Sequence, residues 1–419
     1  MGKTLILLVS VYPYGLKESY LKEELEALSA QFDKIYIVAT EVRQGATNSI
    51  LFALPPNAES VLFSVRYGWK EKIRAVFSLL SPPMRQHLKR VREHYRLPLS
   101  RKILSILLSY EALDCVFRKK LEQFITSRGI QTGALTIYTY WLTGYTYSAA
   151  RLKEKNKHIQ VISRAHAWDV YFERHNPPYL PLRDYIVSVI DRVITISENG
   201  RQYLLAKAGK EYANKVVTHR LAVARGRFRD ALPPHEGIHI LSLSFLSPIK
   251  RVELIIEALA LLNIRVIWFY IGDSKDVYAL RIKALAEEKL GNHAHITYRF
   301  LGEMDKSAVY NFLGSEIIDV IVNTSFFEGL PVSIMEAMAH GIPAIAPDIG
   351  AMNEIIEHGR NGFLMSERPD AAELAAVMEK FYRLTPAEKN SLRIQAFQTW
   401  EERFNPEKNY KQLMKEFIR

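Results

Sequence analysis

Four hundred and nineteen residues are too many for one compact domain and suit two or three of roughly 150 residues each. A composition 48% hydrophobic and 24% charged excludes a disordered or fibrous chain, and the one cysteine, Cys115, excludes an internal disulfide or a cysteine-based zinc site. Lys and Arg outnumber Asp and Glu by 56 to 45, an excess that suits an anionic partner: nucleic acid, a phosphorylated substrate or a membrane surface.

The apolar opening, residues 4–11, runs into Tyr12-Pro13-Tyr14-Gly15 without a small-x-small cleavage site. It reads as a buried parallel strand followed by a turn rather than as a secretion signal. Strands are expected next over 34–39, 134–140, 160–164 and 192–197. Helices are expected over 18–30, where Leu21, Leu25 and Leu28 recur at helical spacing, and over 110–127. A polar, proline-containing stretch over 224–237 is the expected linker. The alternation then resumes, with strands over 238–244, 265–271, 296–300, 319–323 and 343–346 and helices over 251–262, 277–290, 306–312 and 332–340. This order predicts an α/β chain of two doubly wound, Rossmann-like domains facing across a cleft. Their expected extents are 1–225, with a basic helical insert at about 66–108, and 236–400, followed by a tail over 401–419. No uninterrupted apolar run reaches about 18 residues, so no membrane-spanning helix is expected and the predicted location is cytoplasmic.

Ligands of doubly wound folds bind in loops beyond the carboxyl ends of the strands. The segment from Asn323 to Gly341 starts at such an end, turns at Gly329 and places Pro331 where a first helical residue is favoured. The amides around Leu330 and Val332 then belong to a helix N-terminus, which suits a diphosphate. Glu328 precedes this helix and Glu336 lies more than one turn inside it. Each carboxylate can accept two hydrogen bonds from a vicinal diol, so phosphates flanked by the two acids describe a nucleotide-sugar. On the residues alone a second reading stays open, in which Glu328 caps the helix and Glu336 is a solvated helical residue.

Glu328 and Glu336 separated by seven residues, with Gly329-Leu330-Pro331 after the first acid, are followed by Ala337-Met338-Ala339-His340-Gly341-Ile342-Pro343 and Gly359-Arg360-Asn361-Gly362-Phe363-Leu364. The combination resembles the donor site of retaining glycosyltransferases of family 4, which have the GT-B fold. The resemblance implies that Glu328 contacts the donor sugar, that Glu336 holds the ribose and that Gly329, Leu330, Pro331 and Val332 line the site. Gly272-Asp273 closes a strand where the family has a glycine-containing loop near the nucleotide. Residues 243–250 resemble the family's Gly-Arg-x-x-x-x-Lys, whose two cations neutralise the diphosphate. Lys250 matches, whereas Phe245 takes the place of the arginine and leaves Arg251 as a substitute. The stretch Ser163-Arg164-Ala165-His166-Ala167-Trp168-Asp169 resembles the loop whose imidazole reaches the reacting sugar, which makes His166 and Glu328 the candidate catalytic pair. Tyr14, Gly15, Tyr140, Trp141 and Asp169, at or near strand ends, are the candidate acceptor-binding residues. For Tyr140 and Trp141 core packing is an equal alternative. The tail, with Trp400, Phe404, Asn409 and Tyr410, resembles the last helix of the family, which crosses back to the first domain.

The implied reaction moves a sugar from a nucleoside diphosphate to a hydroxyl of a glycan or lipid-linked saccharide, with retention. Lys250, the helix N-terminus and Arg251 or Arg164 would stabilise the leaving diphosphate. The sequence contains no Asp-x-Asp, so no metal or other cofactor is expected, the nucleotide-sugar being a substrate. A sugar-nucleotide epimerase of the same fold remains an alternative. So does a non-catalytic membrane- or polyanion-binding protein, which rests on charge alone. A dinucleotide oxidoreductase would need a Gly-x-Gly-x-x-Gly, and none occurs.

The charge is concentrated. From Arg66 to Lys102 eleven Lys and Arg face only Glu71 and Glu93, and outside that segment the two signs nearly balance. Trp69, Ile73, Val76, Phe77 and Leu80 share one helical face, with Lys70, Lys72 and Arg74 away from it. After Pro82-Pro83, Met84, Leu88, Val91 and Tyr95 form a second stripe flanked by Lys89, Arg90, Arg92 and Arg96. Such helices either lie in a membrane interface or pack their stripes on the domain beneath. Because members of the resembled family commonly act on lipid-linked acceptors, the expectation is peripheral attachment to an anionic membrane, at the inner face of the plasma membrane, and no nucleic-acid partner.

Overall fold

The computed structural model describes residues 2–418 except Leu16, Lys17, Ser19, 43–48, Ser64, Asp230, Ser274 and Lys275. Ser19 of the helix expected over 18–30 and Asp230 of the expected linker therefore lie outside the described residues. The chain divides into two compact units, the first Met1–His219 with Tyr410–Arg419 and the second Arg220–Asn409.

The first unit runs β1 (Thr4–Val9), α1 (Leu21–Ser29), β2 (Lys34–Ala39), β3 (Ala58–Leu62), α2 (Trp69–Ser78), α3 (Pro82–Glu93), α4 (Arg101–Ser127), β4 (Leu135–Thr139) and α5 (Gly144–Lys155). It continues with β5 (Gln160–Ala165), the single turn α6 (Ala167–Val170), α7 (Arg183–Val189), β6 (Arg192–Thr195), α8 (Glu198–Ala208) and β7 (Val216–Thr218). The second unit runs β8 (Ile238–Leu243), α9 (Val252–Ala260), β9 (Val266–Ile271), α10 (Val277–Leu290), β10 (Ile296–Phe300), α11 (Lys306–Ser315) and β11 (Val320–Val322). Then come α12 (Val332–Ala339), β12 (Ala344–Pro347), β13 (Gly362–Met365), α13 (Ala371–Tyr382), α14 (Pro386–Arg403) and α15 (Pro406–Leu413), the last spanning the division between the units.

Both sheets are parallel, in the orders β3-β2-β1-β4-β5-β6-β7 and β10-β9-β8-β11-β12-β13. Each starts at an interior strand, builds outward to one edge, then returns to build the other half. The points of return, β1/β4 and β8/β11, are the topological switch points, where successive connections leave for opposite faces and open a crevice at the strand ends. The strands are apolar throughout because both faces are covered. In the second unit Ile240, Trp268, Val320 and Ile345 pack with Ile255, Ile256 and Leu259 of α9 in one core. Trp268 is wholly buried, and its indole N–H donates to Ser242 Oγ at 3.0 Å.

Several expectations change. Edge strand β3 is only half-buried, β7 has three residues and β13 opens on a glycine, so none carries the apolar run that revealed the other strands. α4 starts at Arg101, capped by Ser100 Oγ accepting Ile103 N–H, and takes up the end of the expected basic insert. The stretch over 224–237 is not a loose linker where it is described. Phe228 stacks on Phe397 at 4.5 Å, Arg227 N–H donates to His340 Nδ1, and Arg229 donates to the Gly314 carbonyl, so the segment is docked on the second unit. From Tyr410 onward the tail belongs to the first unit, with Phe417 edge-on to Tyr138 at 5.0 Å.

The two basic stripes part company. Met84, Val91 and Tyr95 of the second are buried, Val91 and Tyr95 in a cluster with Ile103, Phe172 and Tyr179, so α3 is a core helix. Arg90, expected at a membrane, donates to the carbonyls of Lys207 and Ala208 at the end of α8, while Lys89 and Arg92 are exposed on the outer side.

Under the first sheet lies a buried ion pair. Arg164 Nη1 stands 3.3 Å from Glu24 Oε2 of α1, both fully enclosed, and Tyr138 OH donates to Glu24 Oε1 at 2.6 Å. Neutralising one partner strands the other charge in a dry interior, at a cost of about 3–5 kcal/mol. Glu24→Gln is therefore expected to lower unfolding stability by about 3 kcal/mol in urea titrations, whereas Glu26→Gln on the exposed side of the same helix stays within about 0.5 kcal/mol.

Candidate active site

At the switch point of the second unit, β8 and β11 lie side by side, with Ile240 opposite Val320. The loop after β8 brings Lys250 and the loop after β11 brings Glu328, and their side chains meet at 2.6 Å. The same oxygen, Glu328 Oε1, accepts from Ser325 Oγ at 2.6 Å and from Asn323 Nδ2 at 3.2 Å. Backbone bonds stitch the two loops together: Thr324 Oγ1 donates to the carbonyls of Lys250 and Arg251, and Phe326 N–H donates to Ile249 O.

Two glycines let further loops pack against these two. Gly350, at φ +56°, passes so near the loop that a Cβ would lie 2.0 Å from the Glu328 carbonyl oxygen. Gly272, at φ +122°, would place a Cβ 2.0 Å from the Ser244 carbonyl oxygen, which explains the glycine that ends β9. Asp273 beside it pairs with Lys283 at 2.9 Å. The helix of the motif begins at Val332, where the expected range 332–340 starts, with Pro331 just outside it rather than at its first position. Pro331 is its N-cap, extended at ψ 110°, and α12 starts at Val332, so the amides of Val332 and Ser333 have no carbonyl one turn back to bond. Gly329 and Leu330 are buried beneath the turn, and Glu336 is half-buried along the helix.

Arg251, the expected substitute for the second cation, is tied to the loop after β13. Held in the left-handed region at φ +49°, it sends its guanidinium to the Pro369 carbonyl at 2.8 Å. Phe245, in the place of the resembled arginine, is 65% exposed. Arg368, in the loop after β13, stands 5.5 Å from the exposed Phe326 ring.

The first unit builds its own cluster at the β1/β4 switch point. Glu18, absent from the sequence expectations, occupies a nest of backbone amides at the end of β1: its carboxylate accepts from Ser10, Val11 and Tyr12 N–H at 2.8–3.0 Å. Trp141 Nε1 donates to the same group at 2.5 Å, and the Trp141 ring lies 4.4 Å from His166. Tyr140 and Tyr20 complete an aromatic surround of His166, at 5.2 and 6.2 Å. Both ring nitrogens of His166 are buried with no hydrogen-bond partner among the described residues. The remaining expected acceptor residues are otherwise engaged. Tyr14 OH donates to Ser60 Oγ on β3, Gly15 abuts Val11, and Asp169 spends its oxygens on the amides of Leu142 and His166. Asp169 is thus a brace that ties the loop after β4 to the loop after β5.

Against this geometry, residues 226–398 match the family model for glycosyl transferases group 1. The second unit carries that domain. EpsD of Bacillus subtilis (strain 168) is 29% identical over 223 residues, 49% of this chain and 55% of that protein. The amylovoran biosynthesis glycosyltransferase AmsK of Erwinia amylovora is 28% identical over 176 residues, 40% of this chain and 42% of that protein. The chain thus spans about half the length of the curated relatives it matches. Anabaena Alr3699/HepE, solved in complex with UDP and glucose, superposes with a TM-score of 0.65 at 16% identity over 99% of both chains, which places the fold with the GT-B glycosyltransferases. All of Lys250, Gly272, Glu328, Val332 and Glu336 fall within the group 1 domain.

Burial sets the protonation of the other cluster. Burial, with the Arg164 charge added, holds the His166 imidazole well below 6.5, and burial pushes the Asp169 carboxyl up to about 7 despite its backbone donors. The two act oppositely on stability. The Asp169 contribution is present below the ordinary 3.8 and is lost as pH rises to about 7; that of His166 is present above 6.5 and is lost as pH falls. Between pH 4 and 6.5, Asp169→Asn is expected to make stability rise more steeply with pH than in the wild type, and His166→Gln less steeply. Denaturant midpoints across that range, with slopes unchanged by either substitution as the opposing result, check both.

Proposed function

We propose that the protein transfers a sugar from a nucleoside diphosphate sugar to a hydroxyl of a glycan or lipid-linked saccharide, with retention at the anomeric carbon and without a metal ion. The observation that carries the reading is the Lys250–Glu328 pair at the switch point of the group 1 domain. A neighbour solved with UDP and glucose and a relative named for amylovoran biosynthesis support a sugar nucleotide as donor and a polysaccharide as destination.

In this reading the donor diphosphate takes over Lys250 and lies against the amides of Val332 and Ser333, whose dipole end favours negative charge. Glu328, released from the lysine, accepts hydrogen bonds from the donor sugar, and Glu336 holds the ribose diol. The dominant cost of reaction is charge growing on the leaving phosphate, which Lys250 and the helix end stabilise by position alone. Glu328, already bonded by Ser325 and Asn323, is an orienting group rather than a nucleophile. Retention then follows from front-side attack, the acceptor hydroxyl giving its proton to the departing phosphate. His166, kept neutral and with both nitrogens unpaired among the described residues, supplies a hydrogen bond to a sugar hydroxyl.

Nucleotide release from UDP-, GDP- and ADP-sugars, with and without a lipid-linked acceptor, is the test. One nucleotide is expected to be released faster with acceptor, at a rate unchanged by EDTA, and to give a product of the donor's anomeric configuration. Lys250→Ala is expected to lower turnover by about 100-fold or more, and Glu336→Ala to weaken donor use with folding intact. Unchanged donor affinity and turnover in Glu336→Ala would remove the nucleotide-sugar site from this helix. An epimerised donor formed without acceptor would instead identify an epimerase.

A further inference from the structure

The helix α2 has an apolar face that the first unit does not cover. Trp69 is 69% exposed, Phe77 69%, Leu80 63%, Ile73 50% and Val76 48%, and Ala75 is its one residue buried in the unit. A helix of a folded domain ordinarily turns such a stripe inward, as the neighbouring α3 does with Met84 and Val91. The exposure is therefore a property of α2 and not of the whole basic segment. Lys70, Lys72 and Arg74 flank the ridge and are exposed, with Lys70 Nζ 5.9 Å from the Trp69 ring. Its acid, Glu71, is turned back onto the helix start, where it accepts the Gly68 N–H.

We propose that this face of α2 docks onto the surface of an anionic lipid bilayer, with Trp69, Ile73, Phe77 and Leu80 entering the headgroup boundary and Lys70, Lys72 and Arg74 meeting the lipid phosphates. An aromatic and aliphatic ridge rimmed by cations is the chemistry an anionic leaflet recognises. A second copy of the chain fits less well, because a symmetric contact sets the same three cations against themselves. The inference concerns a surface apart from the loops of the group 1 domain and stands whether or not sugar transfer is the activity.

Flotation with vesicles tests it directly. The full chain is expected to float with phosphatidylglycerol-containing vesicles at low salt, to be released as salt is raised, and to stay behind with pure phosphatidylcholine. Trp69→Ser with Phe77→Ser is expected to cut vesicle partitioning by about ten-fold or more. The triple change Lys70→Glu, Lys72→Glu, Arg74→Glu is expected to abolish it, since each cation near an anionic surface contributes about five-fold. All five positions are exposed, and far-UV circular dichroism checks that folding is retained. The proposal is overturned if the wild type stays soluble at low salt, floats equally on neutral vesicles, or floats as well after either set of changes. It is also overturned if the chain is a dimer that Trp69→Ser with Phe77→Ser converts to a monomer while vesicle binding is absent.

Discussion

Two parallel strands lying side by side, whose connections leave for opposite faces of the sheet, open a crevice at their ends in each unit of this protein. The β8/β11 junction is such a place, and it brings Lys250 and Glu328, 78 positions apart, to 2.6 Å. The rest of the second unit serves that approach. Gly272 lets the loop after β9 pass against Ser244 and Gly350 lets the loop after β12 pass against Glu328, and α12, buried through Ala337, Met338 and Ala339, points a fixed N-terminus beyond the strand ends. A helix N-terminus held by packed elements is already in place when an anion arrives, and the one exchange required is that of Glu328 on Lys250.

The first unit repeats the topology and fills it differently. At β1/β4 the amides that would cradle an anion already hold one, the carboxylate of Glu18. A second anion there would meet like charge, so this junction is unsuited to phosphate. What it offers is neutral: an imidazole kept uncharged by burial, ringed by Trp141, Tyr140 and Tyr20. The two junctions thus differ in charge: the second unit presents Lys250 and a helix N-terminus, the first a buried carboxylate and an uncharged imidazole.

Much of this was legible in the residues. The strands over 34–39 and 296–300 and the helix over 277–290 fall where apolar period and flanking breakers put them. The start of α12 was readable from Gly329 and Pro331, whereas Lys250 and Glu328 were singled out through the family resemblance and the fold brings them together. Glu18 was not, since its partners are backbone amides, which carry no residue signature. The bond from Arg251 to the Pro369 carbonyl was not readable either, because position along the chain does not tell which way a left-handed residue sends its side chain. The two basic stripes have the same periodicity, yet α3 is buried and α2 is bare; periodicity reports that a face is apolar and not what covers it.

The central claim is that Lys250 is a phosphate-binding cation which Glu328 occupies until the donor comes. Isothermal titration of UDP, GDP and ADP, without sugar, into the wild type, Lys250→Ala and Glu328→Gln tests it most directly. For the nucleotide that binds, Lys250→Ala should weaken affinity by about ten-fold or more. Glu328→Gln should tighten it, since the competing carboxylate charge is gone. If both substitutions weaken binding, or neither alters it, the pair is a structural ion pair and the diphosphate lies elsewhere.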